Sequence, residues 1–187
     1  MTSVNPKLLI GLGLVIIFVA YLKIMNPNRK YSSIEYWQTA TIANVADVPR
    51  EALKIGNKNG GVLMWAAMGT DNPAILKKLV RRGAKINESD LIFKGTPLTG
   101  AAGYSKNPKI IEALIKLGAD ITKRVGNKET ALMIAAQYNK NSGIIEKLVS
   151  VGAKVTNKNL QGRTALDLAM KNDNKTAINA LKSIMKK

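Results

Sequence analysis

Thr96-Pro97-Leu98-Thr99-Gly100-Ala101-Ala102 is a phrase that the chain writes four times. Its other copies are Gly61-Val-Leu-Met-Trp-Ala-Ala67, Thr130-Ala-Leu-Met-Ile-Ala-Ala136 and Thr164-Ala-Leu-Asp-Leu-Ala-Met170. Their leucines, Leu63, Leu98, Leu132 and Leu166, lie 35, 34 and 34 residues apart. A second phrase keeps the same register: Leu79-Val80 ahead of Gly83-Ala84, Leu114-Ile115 ahead of Gly118-Ala119, and Leu148-Val149 ahead of Gly152-Ala153. Two phrases in step at a fixed period predict a stack of similar units, each too thin to bury its own apolar face.

The chemistry of the phrases predicts what each unit is. Pro97 suits the first turn of a helix, where its missing N–H has no partner to lose, and Thr96 can cap that start. Paired alanines at 66 and 67, 101 and 102, and 135 and 136 let neighbouring helices approach closely. A second helix is expected after Asn72-Pro73, Asn107-Pro108, Asn141-Ser142 and Asp173-Asn174, all of them cap-forming pairs. Gly83, Gly118 and Gly152 suit the left-handed conformation that stops it. Each unit is then helix, tight turn, helix and a projecting loop or hairpin.

The first phrase resembles the T-P-L-H-x-A-A signature of the ankyrin repeat, and Gly118-Ala-Asp-Ile121 resembles the helix-ending G-A-D-[IV] of that family. The resemblance covers about Ile34 to the C-terminus and implies an all-α solenoid of about four full repeats plus a degenerate N-terminal cap. The repeats fall at 34–60 (the worn cap), 61–87, 96–122, 130–156 and 164–187. The family's histidine is replaced by Met64, Thr99, Met133 and Asp167, so its hydrogen bonds are expected to be lost in every repeat. At the far end Lys182, Lys186 and Lys187 give the last helix a solvent-facing side, as a terminal repeat needs.

Ahead of the stack, after a tail at 1–7, Leu8 to Leu22 is uncharged, and the apolar stretch reaches Met25 if Lys23 snorkels. That is about 18 residues, roughly 27 Å as helix, against the ~20 that a hydrocarbon core asks for. Residues 8–25 are therefore expected to be a single transmembrane anchor, with 26–33 as a linker. A cleaved secretory signal and a buried core helix are the rival readings. Cleavage after Ala20 would put Phe18 where a small residue is wanted. Lys7 precedes the stretch, and Lys23, Arg29 and Lys30 follow it. This leaves the side on which the repeats lie open. The expected location is the inner or plasma membrane.

Composition narrows function. The chain has no histidine and no cysteine, which removes the usual acid/base residue near neutral pH, thiolate nucleophiles, disulfides and most transition-metal sites. Gly11-Leu-Gly13 lies inside the apolar stretch and is no phosphate loop. The twelve acidic residues show no constellation fixed by the repeat register. No enzyme, cofactor or metal is expected. With 29 Lys and Arg the formal charge is +17, which favours acidic partners or anionic membranes. Nucleic acid is disfavoured because no reading motif accompanies the charge.

The resemblance implies binding on a concave face built from loop tips and the exposed side of each first helix. By register that face would carry Asn57, Lys58 and Met68; Ile92, Phe93, Lys94 and Tyr104; Asn127, Glu129, Gln137 and Tyr138; and Leu160, Arg163 and Lys171. Tyr104 and Tyr138 are 34 residues apart and should stack as a ladder, or else each packs locally on its own helix. Leu91, Ile92 and Phe93 lie in a loop that carries the one extra residue, either exposed for binding or tucked beneath it. Lys77, Lys78, Arg81, Arg82 and Lys85 form a dense basic run, read as solvated surface or as a site for acidic protein or anionic lipid.

Three functions follow from these expectations. The first is a membrane-tethered scaffold for an unidentified protein partner of acidic character. The second is peripheral binding of anionic lipid. A more remote third is an inhibitor or immunity-type protein for a specific enzyme or toxin.

Overall fold

Eight helices open on an Asn, Ser or Thr whose side chain accepts a hydrogen bond from an N–H of the first turn, and the paired helices then stack in register. In a computed structural model the described residues are 31, 33–54, 61–89 and 95–186. The expected anchor at 8–25 lies outside them. Among the described residues no helix is long and apolar enough to cross a membrane.

The elements are α1 (Ile34–Thr39), a 3-10 turn (Ala43–Asp47), α2 (Arg50–Lys54), α3 (Val62–Gly69), α4 (Pro73–Arg81), α5 (Pro97–Tyr104), α6 (Pro108–Lys116), α7 (Ala131–Tyr138), α8 (Ser142–Ser150), α9 (Ala165–Lys171) and α10 (Lys175–Met185). There is no strand among the described residues, only an isolated antiparallel bridge between Val125 and Glu129. Helices α1, α3, α5, α7 and α9 stack as one layer, and the 3-10 turn with α4, α6, α8 and α10 stacks as the other.

The second helices start at Asn72, Asn107, Asn141 and Asn174, whose side chains accept from the N–H groups of Ala74, Lys109, Gly143 and Ala177. In the last unit α9 is one residue shorter than α3, α5 and α7, and Asp173 in the turn after it takes a positive φ of 48°. The helix stops explain the second repeated phrase. Gly83 sits at φ 105° and donates to Val80 O, while Ala84 donates to Leu79 O, the paired bonds of a Schellman ending. Gly118-Ala119 and Gly152-Ala153 repeat both bonds on Ile115 and Leu114 and on Val149 and Leu148.

Between the layers the alanine pairs are fully buried, and so are the apolar faces of the second helices at Ile75, Leu76 and Leu79, Ile110, Ile111 and Leu114, and Ile144, Ile145 and Leu148. In the N-terminal unit, Trp37 of α1 is buried and donates from Nε1 to Tyr31 O at 2.9 Å, and Tyr31 Oη donates to Asp47 O at 2.8 Å. The stack is thus closed by aromatic packing in place of a full repeat.

The expectation that the helix starts lose their hydrogen bonds wherever histidine is replaced needs correction. Thr99 Oγ1 accepts from Thr96 N at 2.7 Å, and Asp167 Oδ2 accepts from Thr164 N at 2.8 Å. Each completes a reciprocal capping box. Only the two methionines leave that place apolar, since a thioether has little capacity to accept.

Candidate interaction surface

The last residue of α5 and of α7 turns out of the stack, because the alanines two and three positions earlier face inward. That geometry exposes Tyr104 and Tyr138, which are 54% and 53% accessible and lie at equivalent positions on α5 and α7. Their rings are parallel within 7° with centroids 6.4 Å apart. They face one another across the repeat boundary, which favours the ladder over local packing. The same position holds Gly69 in the preceding unit and Asn172 in the following one.

The spacing of the ladder is set from beneath by asparagines that sequence reading took only as helix caps or did not single out. Asn139 is buried and donates from Nδ2 to the carbonyls of Ala102 and Ser105 at 2.9 and 3.0 Å. Asn107 and Asn141 donate to the carbonyls of Asp71 and Lys106 at 2.8 and 2.7 Å. These bonds satisfy carbonyls freed at the ends of the first helices. A recurrent asparagine following each first helix is the signal that could have found them.

The loop tips are joined in the same manner. Val125 and Glu129 exchange two backbone bonds of 2.9 Å, closing a hairpin on Gly126 and Lys128, both at positive φ. Leu160 N then donates to Asn127 O at 2.9 Å, and Arg124 reaches Lys158 O at 2.8 Å and Asn157 Oδ1 at 3.2 Å in the next loop. Glu129 accepts from Gln137 at 3.1 Å and Asn159 at 3.4 Å. It is therefore held inside the surface as a brace and is only partly exposed.

Of the residues expected on this face, Tyr104, Tyr138, Asn127, Leu160 and Lys171 are exposed, and Met68, Gln137 and Arg163 are half-buried with Glu129. Asn57, Lys58, Leu91, Ile92, Phe93 and Lys94 lie outside the described residues. The basic run is divided by the fold. Lys78 donates to Ile42 O at 3.1 Å and Arg82 to Val45 O, so two of its cations clamp the 3-10 turn of the N-terminal unit. Lys77, Arg81 and Lys85 remain exposed, with Lys85 3.9 Å from Glu88.

Charge on the far side of the stack is organised by Glu112. Its carboxyl lies 2.6 Å from Lys116 and 3.5 Å from Lys147 of the next unit, and both ammonium groups, Lys116 first, hold it below the usual carboxylate range. A cleft of about 240 Å³ is lined by Ile121, Thr122, Arg124, Thr130, Lys154 and Asn157, with Gly152 and Ala153. No carboxylate lines it, so it lacks the paired acids of glycoside hydrolysis. Among the described residues no group of three or more acidic side chains is placed to hold a metal ion.

The chain matches the family described as "Ankyrin repeats (3 copies)" over residues 63–159 and again over 98–186. No curated protein matches it.

Proposed function

The chain belongs to the ankyrin-repeat family, and we propose on that premise that it docks an acidic partner protein on the face carrying Tyr104 and Tyr138 while residues 8–25 tether it to the inner or plasma membrane. At the coarser level the repeats make it a protein–protein interaction module. The observation that carries the finer reading is the stacked tyrosine pair. Two large rings stay more than half exposed and stack on one another although burial would stabilise each, and tyrosine is enriched among the residues that anchor binding. The formal charge of +17 adds long-range attraction for an acidic surface.

Anionic lipid as the main ligand has less support. Two of the five cations in the densest basic run are spent on main-chain carbonyls, and of the rest Lys77 and Arg81 lie on α4, in the layer opposite to the one that carries the tyrosines. No catalytic role is assigned.

The test is a crosslinked capture from native membranes, comparing the full chain with a Tyr104→Ala/Tyr138→Ala variant. Proteins crosslinked to the first and lost from the second are the expected result. Recovery of the same proteins in equal amount by both would remove the tyrosine face as the docking site. Sedimentation with anionic vesicles that survives the double substitution, with no protein crosslinked, would favour lipid instead.

A further inference from the structure

Two rows of side chains begin and end together on this stack. The aromatic row reads Gly69, Tyr104, Tyr138, Asn172 through the four units, and two residues further along the row reads Asp71, Lys106, Lys140, Asn174. Tyrosine and lysine therefore coincide in the same two middle units and in neither flanking one. Lys106 and Lys140 are exposed, and among the described residues no carboxylate lies within ion-pair distance of either. Their turns are adjacent, since Asn141 next to Lys140 donates to the carbonyl of Lys106 at 2.7 Å. The result is a short track, apolar along one edge and cationic along the other.

We infer that this track receives an extended acidic segment of the partner, lying along the stack with an apolar side chain at every second residue over Tyr104 and Tyr138 and carboxylates beside them on Lys106 and Lys140. The inference rests on the docking face proposed above. Same-side residues of an extended strand repeat every ~6.4–6.8 Å, and the ring centroids are 6.4 Å apart. A polyproline segment repeats every ~9.3 Å on one side and misses that step. A helix rises about 6.0 Å over four residues, but its apolar stripe asks for anchors one turn further on each side. Those places are Gly69, which offers no side chain, and Asn172, which offers an amide. Two rings are enough for a strand and too few for a helix.

The backbone beneath the track is tied before binding. Asn139 fixes the end of α5 against α7 through two carbonyls, so the ring spacing does not have to be set by the ligand.

The experiment is selection of a random nine-residue peptide library on the full chain in detergent micelles, with counter-selection on the Tyr104→Ala/Tyr138→Ala variant. Both rings are exposed, and matching thermal melts will show that the variant is folded. Expected are peptides with aromatic or aliphatic residues at i and i+2 and Asp or Glu adjacent to them. Their affinity should fall at least about tenfold in the tyrosine variant. In Lys106→Gln/Lys140→Gln it should also fall, with a flatter dependence on salt.

Enrichment at i and i+3 or i+4, enrichment without acidic residues, or no difference between the chain and the tyrosine variant would each overturn the track. Membrane capture separates this from failure of the docking face. Partners lost from the tyrosine variant while peptides show no alternation leave the face standing and remove the track. Partners retained by the variant remove both.

Discussion

Asn174 repeats, one unit later, the pair of bonds made by Asn139. Asn139 Nδ2 donates to Ala102 O and Ser105 O, and Asn174 Nδ2 to Ala136 O and Asn139 O, at distances between 2.8 and 3.0 Å. Because the acceptors sit one repeat back, each asparagine is a tie between units as well as part of its own turn. Both are buried, so water cannot replace the amide when it is removed.

Asn139→Ala and Asn174→Ala should each lower stability by about 2 kcal/mol, since a buried acceptor left unpaired costs ~1–3 kcal/mol. For a domain of this size that corresponds to a fall in Tm of about 4–8 °C. Asn139→Asp should be worse than alanine at neutral pH, because it turns a donor toward two carbonyls into a charged acceptor. Thermal melts of the three variants check this, and an aspartate variant as stable as the parent would contradict the assigned donor geometry.

Gly69 and Gly103 occupy the last turns of first helices, and both lack a side chain for reasons of space. A Cβ on Gly69 would stand 2.6 Å from Ile34 O and 2.9 Å from Trp37 Cβ, so α1 itself would have to move. On Gly103 it would meet only Ile134 Cγ2 at 3.2 Å, the tip of a side chain that can rotate. Gly69→Ala should cost about 1–3 kcal/mol by overpacking and shift tryptophan emission to the red as Trp37 is uncovered. Gly103→Ala should cost clearly less and leave the emission unchanged.

How much of this could be read from the sequence follows from where each interaction is made. Thr96, Asn72 and Gly83 act within four or five residues of themselves, and their local chemistry gave the helix starts and stops. Tyr104 and Tyr138 were placed on one face by period alone. The asparagine ties were not legible as ties, because their partners are main-chain carbonyls 34 to 38 residues away, and a carbonyl has no residue type to recognise. For the same reason Lys78 and Arg82 looked like any other members of a basic run. Thr99 and Asp167 were misjudged for another reason. Set against the family's histidine they looked like losses, although threonine and aspartate close a capping box by their own chemistry.

Asp167 links one such box to pH. Hydrogen bonds from the backbone and then the hydroxyl of Thr164 hold its carboxyl below the ordinary aspartate value. A group with a lowered folded pKa contributes stability in full above its unfolded pKa and loses it as pH falls through the folded one. Asp120 behaves alike, with the Thr122 hydroxyl as the leading cause. Stability should therefore stay level from neutral pH down to about 4 and decline below it. Asp167→Asn should be less stable at neutral pH and show a shallower decline. Urea midpoints across the range measure both slopes, and parallel curves would show that the box does not depend on the charge.

Arg82 and Lys78 reach from the end of α4 to the carbonyls of Val45 and Ile42, so the N-terminal unit is held by charged donors as well as by Trp37 and Tyr31. Hydrogen bonds to a charged group contribute ~1.5–3 kcal/mol when shielded, and Lys78 and Arg82 are half-buried, which places them toward the low end. Arg82→Ala should therefore loosen the 3-10 turn and α1 without loosening α7 to α10, because units in a stack feel mainly their neighbours. Hydrogen exchange reads this directly. Amides at 34–47 should exchange faster in the variant, while those of 131–150 keep their protection. Arg82→Lys should restore part of the effect by keeping the charge on a shorter reach. Uniform acceleration across all units would mean that the N-terminal unit is coupled to the whole stack and does not open as a separate cap.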